Sequence, residues 1–363
     1  MSRTITLFPG DGIGPEVTSA TRRVLDAALP SINWDVQELG ASALASQGTA
    51  IPEGALASVK KSRVALKGPL ASSSGQSTLG PLNIALRKGL GLFAQMRPVR
   101  SWPGLQGTAG IDIVVARELT EDFASGIEFD RGTDPCLAMM ASIESVSGRH
   151  LDETTALTVR PVSETATRRF VEFVLAWAEH QGRQCVTVVH KATVLRATDG
   201  LFLDVSREVA AAHPAIEFHE RLVDAFCADL IRDPAAPDVV VAPFLYGDIL
   251  SDITAALSGG LGLAPGVNYG DNIALFEAAH GCVPKRAGKD EVNPMATVLT
   301  GAMMLRHLGE HDAANHITAA VGAVLAGSDG LTYDLRANRA TTVIGTAALA
   351  DRVVEEILRI RRP

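Results

Sequence analysis

The sequence has little of what marks several common classes of protein. Its four cysteines lie far apart with no Cys-X-X-Cys spacing, which argues against a zinc site or a disulfide framework and fits a reducing cytosol. Lys and Arg residues are scattered instead of forming a basic stripe, and the net charge is −8, so the pattern of a nucleic-acid-binding protein is missing. We therefore expect the ligand to be a small molecule and not a nucleic acid.

Signals for membrane insertion are also missing. The first residues, MSRTITLFPGDGIGPE, lack the apolar core of a signal peptide. The stretch 253–270 carries no charge, but glycines and Pro265 interrupt it, which argues against a membrane span. We expect a cytoplasmic protein without a membrane partner.

Short β-branched runs alternate with longer helical patterns along the 363 residues, a length that suggests about two domains at roughly 150 residues each. This alternation predicts an α/β fold with a parallel or mixed sheet. Segment 129–160 fits the alternation poorly, and we interpret it as an arm that packs on another subunit. The predicted strands are 4–8, 63–67, 111–117, 185–190 and 238–244, and the clearest predicted helices are 16–29, 164–182 and 295–309.

Two glycine-containing loops precede predicted helices. FPGDGIGPEV follows the first strand, where backbone amides could face an anion, although a plain strand-to-helix turn explains it equally well. HGCVPKRAGKDEVNP (280–294) contains several cations and resembles a phosphate-facing loop, with a solvated surface loop as the alternative.

Four arginines, Arg87, Arg97, Arg100 and Arg117, occur around a predicted helix-to-strand junction and a strand end. Guanidinium groups bind carboxylates through paired hydrogen bonds, so converging arginines would form a site for a di- or tricarboxylate. Each arginine taken alone is better explained as a surface ion pair.

Three aspartates and one lysine are candidates for metal binding and proton transfer. Asp248 and Asp252 are four residues apart, so on a helix they share a face and can offer oxygens to one divalent ion. Asp224 is a possible third ligand, and an all-oxygen set favours Mg²⁺ or Mn²⁺. Alternatively, Asp248 caps a helix and Asp252 faces water. Lys191 follows a buried strand and is a candidate general base, although most lysines at such positions extend to solvent.

Six motifs follow one another in a fixed order. They are FPGDGIGPEV, LR with RPVR (86–100), RELTEDFASGIEF (117–129), HKATVLRATDGLF (190–202), GDILSD and HGCVPKRAGKDEVNP. In this order they resemble the isocitrate and isopropylmalate dehydrogenase family of β-decarboxylating dehydrogenases, and the match covers nearly the whole chain. TEDFxxGIEF and HKA resemble the isocitrate branch more than the isopropylmalate branch.

The resemblance implies an α/β fold of two domains that share a central mixed sheet, unlike a Rossmann fold. A large cofactor-binding domain would combine residues 1–98 with 254–363. A small domain would span 99–253 and contain the arm, residues 129–160. The resemblance also implies a homodimer with shared active sites.

Roles for individual residues follow from the matching motif positions. The resemblance implies that Lys191 removes the substrate's hydroxyl proton and that Asp224, Asp248 and Asp252 hold Mg²⁺ or Mn²⁺. It implies substrate binding by Arg87, Arg97, Arg117 and Asn83. It implies binding of NADP or NAD by His280, Gly281, Lys285, Arg286, Asn293, Tyr333 and Glu277.

Departures from the family pattern concentrate around the substrate. Ala124 stands where the family has a tyrosine that reprotonates the product enolate, and Pro81 replaces a serine that contacts the distal carboxylate of isocitrate. Thr193 and Phe244 each replace an asparagine. The expected reaction is oxidative decarboxylation of a malate-type 2-hydroxy acid, either isocitrate or a specialised analogue. The alternatives are an isopropylmalate-, tartrate- or malate-type dehydrogenase and a non-catalytic or regulatory paralogue.

The cofactor is predicted from two segments. Lys285 occupies the position where NAD-dependent relatives usually carry an Asp, and Arg286 is next to it. Two cations at this place would stabilise a 2′-phosphate. Tyr333 matches a tyrosine of NADP-dependent relatives, whereas the arginine expected four residues later is Ala337, with Arg336 one position away. We expect NADP to be preferred over NAD.

Overall fold

The chain folds around a ten-stranded sheet with helices on both faces. The computed structural model describes residues 3–71, 82–105, 107–327, 330–335 and 342–361. Its strands are β1 (Arg3–Phe8), β2 (Ile32–Val36), β3 (Val64–Lys67), β4 (Ala94–Arg100), β5 (Asp112–Glu118), β6 (Ile127–Phe129), β7 (Leu157–Val159), β8 (Cys185–His190), β9 (Glu217–Leu222), β10 (Val239–Ala242), β11 (Val267–Tyr269) and β12 (Ala274–Glu277).

Helices connect most of these strands. They are α1 (Gly14–Ala28), α2 (Ala41–Gln47), α3 (Glu53–Ser62), α4 (Leu82–Gly89), α5 (Asp134–Ser147), α6 (Glu164–His180), α7 (Thr198–Ala210), α8 (Val223–Arg232), α9 (Phe244–Ser258), α10 (Met295–His307), α11 (His311–Ala326) and α12 (Thr346–Ile360). No helix within the described ranges is both long and apolar enough to cross a membrane.

The large sheet is mixed, which confirms the predicted fold class. Its strand order is β2-β1-β3-β12-β11-β4-β5-β10-β8-β9. Strand β11 runs antiparallel to β12 and β4, and β4 runs antiparallel to β5. The other neighbours are parallel. Strands β3, β10 and β12 are buried along their whole length, because helices cover both faces of the sheet.

Sequence patterns located most of the predicted strands and helices to within a residue or two. The predicted helices 16–29, 164–182 and 295–309 correspond to α1, α6 and α10. The predicted strand 238–244 was too long. It ends at Ala242 because Pro243 is the N-cap of α9, and the helix begins at Phe244.

The segment interpreted as an arm forms a small unit beside the large sheet. Strands β6 and β7 pair antiparallel in a sheet of their own, and α5 lies between them in sequence. Apolar side chains on α5 face solvent in the single chain, with Leu137 45 % and Val146 90 % exposed. Packing of this arm on a partner remains a prediction.

Candidate active site

Helix α9 presents Asp248 and Asp252 on one face, one turn apart. Both side chains are about half exposed, at 48 % and 55 %. Asp248 lies in the second turn, so the alternative that it caps the helix is wrong. Burial raises the pKa of Asp252, the negative charge of Asp248 raises it further, and Arg97 opposes both effects. A divalent cation would relieve the repulsion between these two carboxylates.

Two arginines from neighbouring strands meet these aspartates. Arg97 on β4 donates to the Ser251 hydroxyl at 2.5 Å, and its Nη1 lies 3.4 Å from an oxygen of each aspartate. Arg117 on β5 contacts Asp248 at 2.6 Å and donates from Nε to the backbone oxygen of Phe244 at 2.7 Å. The Phe244 ring lies against the Arg117 guanidinium, 3.8 Å from Cζ to ring centroid.

Gly247 allows this close approach of α9 to β5. A Cβ atom at Gly247 would lie 2.7 Å from both Cβ and Cγ of Arg117, which is closer than side chains tolerate. Glycine at this helix position therefore lets Arg117 pass beside the helix and reach Asp248.

Arg87 on α4 is held by a buried carboxylate. It donates to Oε1 of Glu277 at 3.0 Å, while Lys67 contacts Oε2 of the same residue at 2.7 Å. The Asn268 side chain donates to Oε1 at 2.8 Å. Although burial alone would raise the pKa of Glu277, Lys67 and Arg87 hold it well below its usual range. The carboxylate of Glu277 thus lies beside Arg87, next to the predicted substrate site.

Burial and mutual repulsion make the arginine cluster ready to accept an anion. Burial lowers the pKa of Arg117 to about 9, with contributions from Arg87 and Arg97 against the opposing effect of Asp248. The pKa of Arg97 is lowered in the same way, first by burial and then by Arg87. Anionic substrate groups placed between these guanidinium groups would offset both the burial and the mutual repulsion.

Asn83 lies one turn before Arg87 on α4, on the same helix face. Its Oδ1 and the Nε of Arg87 are both buried, and no described residue forms a hydrogen bond with either atom. Buried polar atoms without a partner are costly, so a bound polar ligand would stabilise this corner. Asn83 therefore lies beside Arg87, and its role in substrate binding stays a prediction.

Lys191 and Asp224 form a separate pair. Nζ of Lys191 lies 2.5 Å from Oδ1 of Asp224, and this hydrogen bond lowers the pKa of Asp224. Among the residues described in one chain, no group of three or more His, Cys, Asp or Glu side chains is placed to hold a metal ion. Asp224 therefore does not join Asp248 and Asp252 within a single chain.

A buried network fixes the backbone of Lys191. Its amide donates to Asp199 at 2.6 Å, and Asp199 also accepts hydrogen bonds from Arg160 and, at 3.2 Å, from the Tyr246 hydroxyl. Arg160 also contacts Asp122 of the TEDF motif at 2.6 Å. Sequence reasoning missed this network, because its members are up to 124 residues apart and the two motifs that contain Asp122 and Asp199 do not show that Arg160 joins them.

Four of the predicted cofactor residues line one cleft of about 280 Å³, namely His280, Arg286, Asn293 and Tyr333. Arg286 stacks on Tyr333, 4.0 Å from Cζ to ring centroid, and pairs with Glu291 at 2.9 Å. Gly281 and Lys285 are exposed on the adjoining loop, whereas Glu277 lies beside Arg87 and not on this cleft. Arg336 and Ala337 lie outside the described residues.

The FPGDGIGPEV loop is tied into the fold by Asp11. Its carboxylate accepts hydrogen bonds from the amides of Ala41 and Ala71, both at 2.8 Å. The amide of Ile13 donates to the Cys282 backbone oxygen at 2.8 Å, which joins this loop to the one after His280. The loop therefore shapes the cleft wall through Ile13.

Three of the four departures from the family pattern can be located. Ala124 is fully buried, Phe244 supports Arg117, and Thr193 is exposed near Lys191. Pro81 lies outside the described residues. Arg100, grouped with the converging arginines from its sequence position, points away from them. It lies three residues from Arg97 on the same strand, so the two side chains leave opposite faces of the sheet.

The chain matches the family model for isocitrate/isopropylmalate dehydrogenase over residues 4–353. The mitochondrial NAD isocitrate dehydrogenase subunit alpha of Homo sapiens is 39 % identical over 340 residues, covering 93 % of this chain and 87 % of that protein. The NADP isocitrate dehydrogenase of Archaeoglobus fulgidus is 36 % identical over 382 residues, covering 97 % and 92 %. The crystal structure of isocitrate dehydrogenase from Methylococcus capsulatus matches with a TM-score of 0.88 and 38 % identity, covering 98 % and 99 %.

These similarities confirm the resemblance to the isocitrate branch, because the relatives named are isocitrate dehydrogenases. They include both NAD- and NADP-dependent proteins. The chain belongs to the isocitrate/isopropylmalate dehydrogenase family of decarboxylating dehydrogenases.

Proposed function

We propose that this protein catalyses the metal-dependent oxidative decarboxylation of a malate-type 2-hydroxy acid, either isocitrate or a specialised analogue, with reduction of NADP or NAD. The observation that carries the proposal is the arginine cluster facing two carboxylates on α9. Arg97 and Arg117 are buried, yet they contact half-exposed Asp248 and Asp252. Buried Arg87 is paired with Glu277 and lies near enough for its charge to lower the pKa of both other arginines. Such an arrangement suits a substrate with several carboxylates that reaches a cation at the same time.

The predicted site residues would have separate roles in this reaction. Asp248 and Asp252, with Asp224, would hold Mg²⁺ or Mn²⁺, since all donors are carboxylate oxygens. When bound, the ion would supply positive charge beside the substrate oxygens, and NADP or NAD would supply the acceptor for the hydride from C2. The arginines orient the carboxylates, and Lys191 accepts the hydroxyl proton.

Two copies of the chain would build each site. Lys191 and Asp224 lie together, but the three predicted metal ligands are not grouped within one chain. In a twofold dimer, the Lys191–Asp224 pair of one copy would reach the aspartates and arginines of the other. Exposed apolar side chains such as Ile249 on α9 and Val146 on α5 support a further packing surface.

NADP is the proposed cofactor. Arg286 stacks on Tyr333 at the mouth of the cleft and exposed Lys285 is next to it, so a 2′-phosphate would meet two cations. Glu291 pairs with Arg286 and reduces this attraction. We expect a higher kcat/KM with NADP than with NAD, and Lys285→Asp with Arg286→Ile should narrow or reverse the preference. Higher kcat/KM with NAD in the wild-type protein would contradict this assignment.

The substrate is best sought with a panel. Purified protein with Mn²⁺ and both cofactors would be assayed on isocitrate, isopropylmalate, malate, tartrate and isocitrate analogues that lack the distal carboxylate. Reduced nicotinamide and released CO₂ would be measured together. Buried Ala124 offers no hydroxyl for enolate protonation, so we expect slow turnover of isocitrate. Absence of turnover across the panel would favour the non-catalytic alternative, and efficient isocitrate turnover would contradict the effect assigned to Ala124.

A further inference from the structure

Strand β4 carries arginines toward both faces of the sheet. Arg97 faces α9, in the direction of Val99, which packs with Leu250 of that helix. Met96 belongs to the main core cluster on the other face, which also contains residues of α10 such as Val298. Arg100 is an even number of residues from Met96, so it points to the α10 side. The predicted substrate site and the surroundings of Arg100 therefore lie on opposite faces of one strand.

A pocket of about 210 Å³ opens beside Arg100, which we call the rear pocket. Its lining combines charge with an apolar wall. The charged lining residues are Arg100, Asp112, Arg183 and Arg306, and Trp102 and Met303 belong to the apolar wall.

The rear pocket has more positive than negative charge. Arg183 is already paired with Asp112 at 2.7 Å and with Asp238 at 2.8 Å. Arg306 donates to the neutral side-chain oxygen of Asn315 at 2.8 Å. Within the described part of the chain, no acceptor forms a hydrogen bond with the Arg100 guanidinium, which stacks 4.1 Å from the centroid of a Trp102 ring. Among the residues that the structure describes, no carboxylate is therefore paired with the guanidinium group of Arg100 or of Arg306.

The surroundings of the Arg100 guanidinium also favour a bound anion. Burial lowers the pKa of Arg100, and the nearby charge of Arg306 lowers it further, while Asp112 opposes both. Two neighbouring cations beside an apolar wall repel each other, and an anion placed between them would remove that repulsion.

We propose that the rear pocket binds a small organic anion, with its phosphate or carboxylate between Arg100 and Arg306 and its apolar part against Trp102 and Met303. The volume is below the roughly 300 Å³ typical of pockets for drug-sized ligands, so the ligand is a small metabolite. Because the pocket and the substrate arginines lie on opposite faces of the sheet, both can be occupied together.

Phenyl phosphate is a suitable probe, because it combines a dianion with an apolar ring. Isothermal titration of the full-length protein should show saturable binding with a Kd at or below about 1 mM. Arg100→Gln and Arg306→Gln should each weaken this binding at least tenfold. Both arginines are exposed, so neither change should disturb folding, which circular dichroism would verify. Arg22→Gln, an exposed arginine of α1 paired with Asp26, is the matched control for loss of one positive charge.

Two further titrations separate the ligand chemistries. Trp102→Leu should weaken phenyl phosphate and leave inorganic phosphate unchanged, because only the ring uses the apolar wall. Benzoate in place of phenyl phosphate distinguishes a carboxylate from a phosphate ligand, and tighter binding of either one supports an anion site. The proposal is overturned if phenyl phosphate does not saturate, or if Arg100→Gln and Arg306→Gln bind it as tightly as Arg22→Gln does.

Discussion

The arginine cluster and the Lys191–Asp224 pair differ in how completely one chain builds them. Arg97 and Arg117 are buried and contact side chains of α9, and Arg87 is paired with Glu277. The Lys191–Asp224 pair is more open, with side chains 28 % and 65 % exposed. The arginines proposed to bind the substrate are thus held together within one chain, whereas in the proposed dimer the groups for proton transfer and for the third metal contact would come from a partner. Changes in the two regions should accordingly have different consequences.

Removal of the metal should have the largest effect, because it affects both regions at once. An excess of chelator should abolish turnover, and added Mn²⁺ should restore it. Asp252→Asn should raise the Mn²⁺ concentration needed for half-maximal activity at least tenfold, since it removes a charged ligand. Asp351→Asn, an exposed aspartate of α12, is the control. Activity that persists in excess chelator would contradict the assignment of Asp248 and Asp252.

Glu277→Gln tests the buried arginine cluster, through its effect on the stability of the folded protein. The change leaves Lys67 and Arg87 without their carboxylate, so the free energy of unfolding should fall by about 3–5 kcal/mol at neutral pH. Urea denaturation at one fixed protein concentration would measure it. Glu208→Gln, an exposed partner of Arg168, should change stability little.

The pH dependence gives this variant a second readout. The pKa of Glu277 in the folded protein is lowered from its ordinary value of 4.5, so its contribution is present above pH 4.5. That contribution is lost as the pH falls through the folded-state pKa. The stability difference between wild type and Glu277→Gln should therefore narrow below pH 4.5. A constant difference from neutral to acidic pH would show that the ionised carboxylate is not what stabilises this cluster.

Lys191→Met tests the more exposed Lys191–Asp224 pair, through its effect on turnover. We expect kcat to fall by about 10² or more, the scale of a lost acid–base group, with little change in cofactor affinity. Lys60→Met, a lysine of α3, would show the effect of losing a surface lysine. Near-normal kcat in Lys191→Met on the true substrate would remove Lys191 from the mechanism.

Gly247→Ala should have the smallest effect of these variants. It should affect the arginine cluster and not the Lys191–Asp224 pair. The added Cβ would contact the Arg117 side chain at 2.7 Å and force α9 or Arg117 to move. We expect a loss of about 1–3 kcal/mol in unfolding free energy and a higher substrate KM. Gly200→Ala on α7 is the matched control, since open space surrounds that position and alanine favours the helix. Equal behaviour of the two variants would show that α9 tolerates the displacement.

Sequence patterns predicted the fold and the shared helix face of Asp248 and Asp252. They did not predict the buried contacts of the neighbouring arginines. The spacing of Asp248 and Asp252 fixed their common face, because helical periodicity is local. The partners of Glu277 could not be read in this way, since Lys67 lies 210 residues away in the chain. Arg100 was grouped with Arg97 by proximity in sequence, although their three-residue spacing on a strand already indicates opposite faces.

Mixing two variants of low activity tests the shared active site most directly. Lys191→Met and Asp252→Asn would be purified separately, dissociated and reassociated together at equal concentration. In a mixed dimer with shared sites, one site combines both intact residues, so we expect about a quarter of wild-type activity when half of the dimers are mixed. At a Mn²⁺ concentration that just saturates the wild type, each variant reassociated alone should show much lower activity than this mixture. If the activity of the mixture stays at the level of the two variants alone although mixed dimers are detected, Lys191 and Asp252 do not meet across two chains.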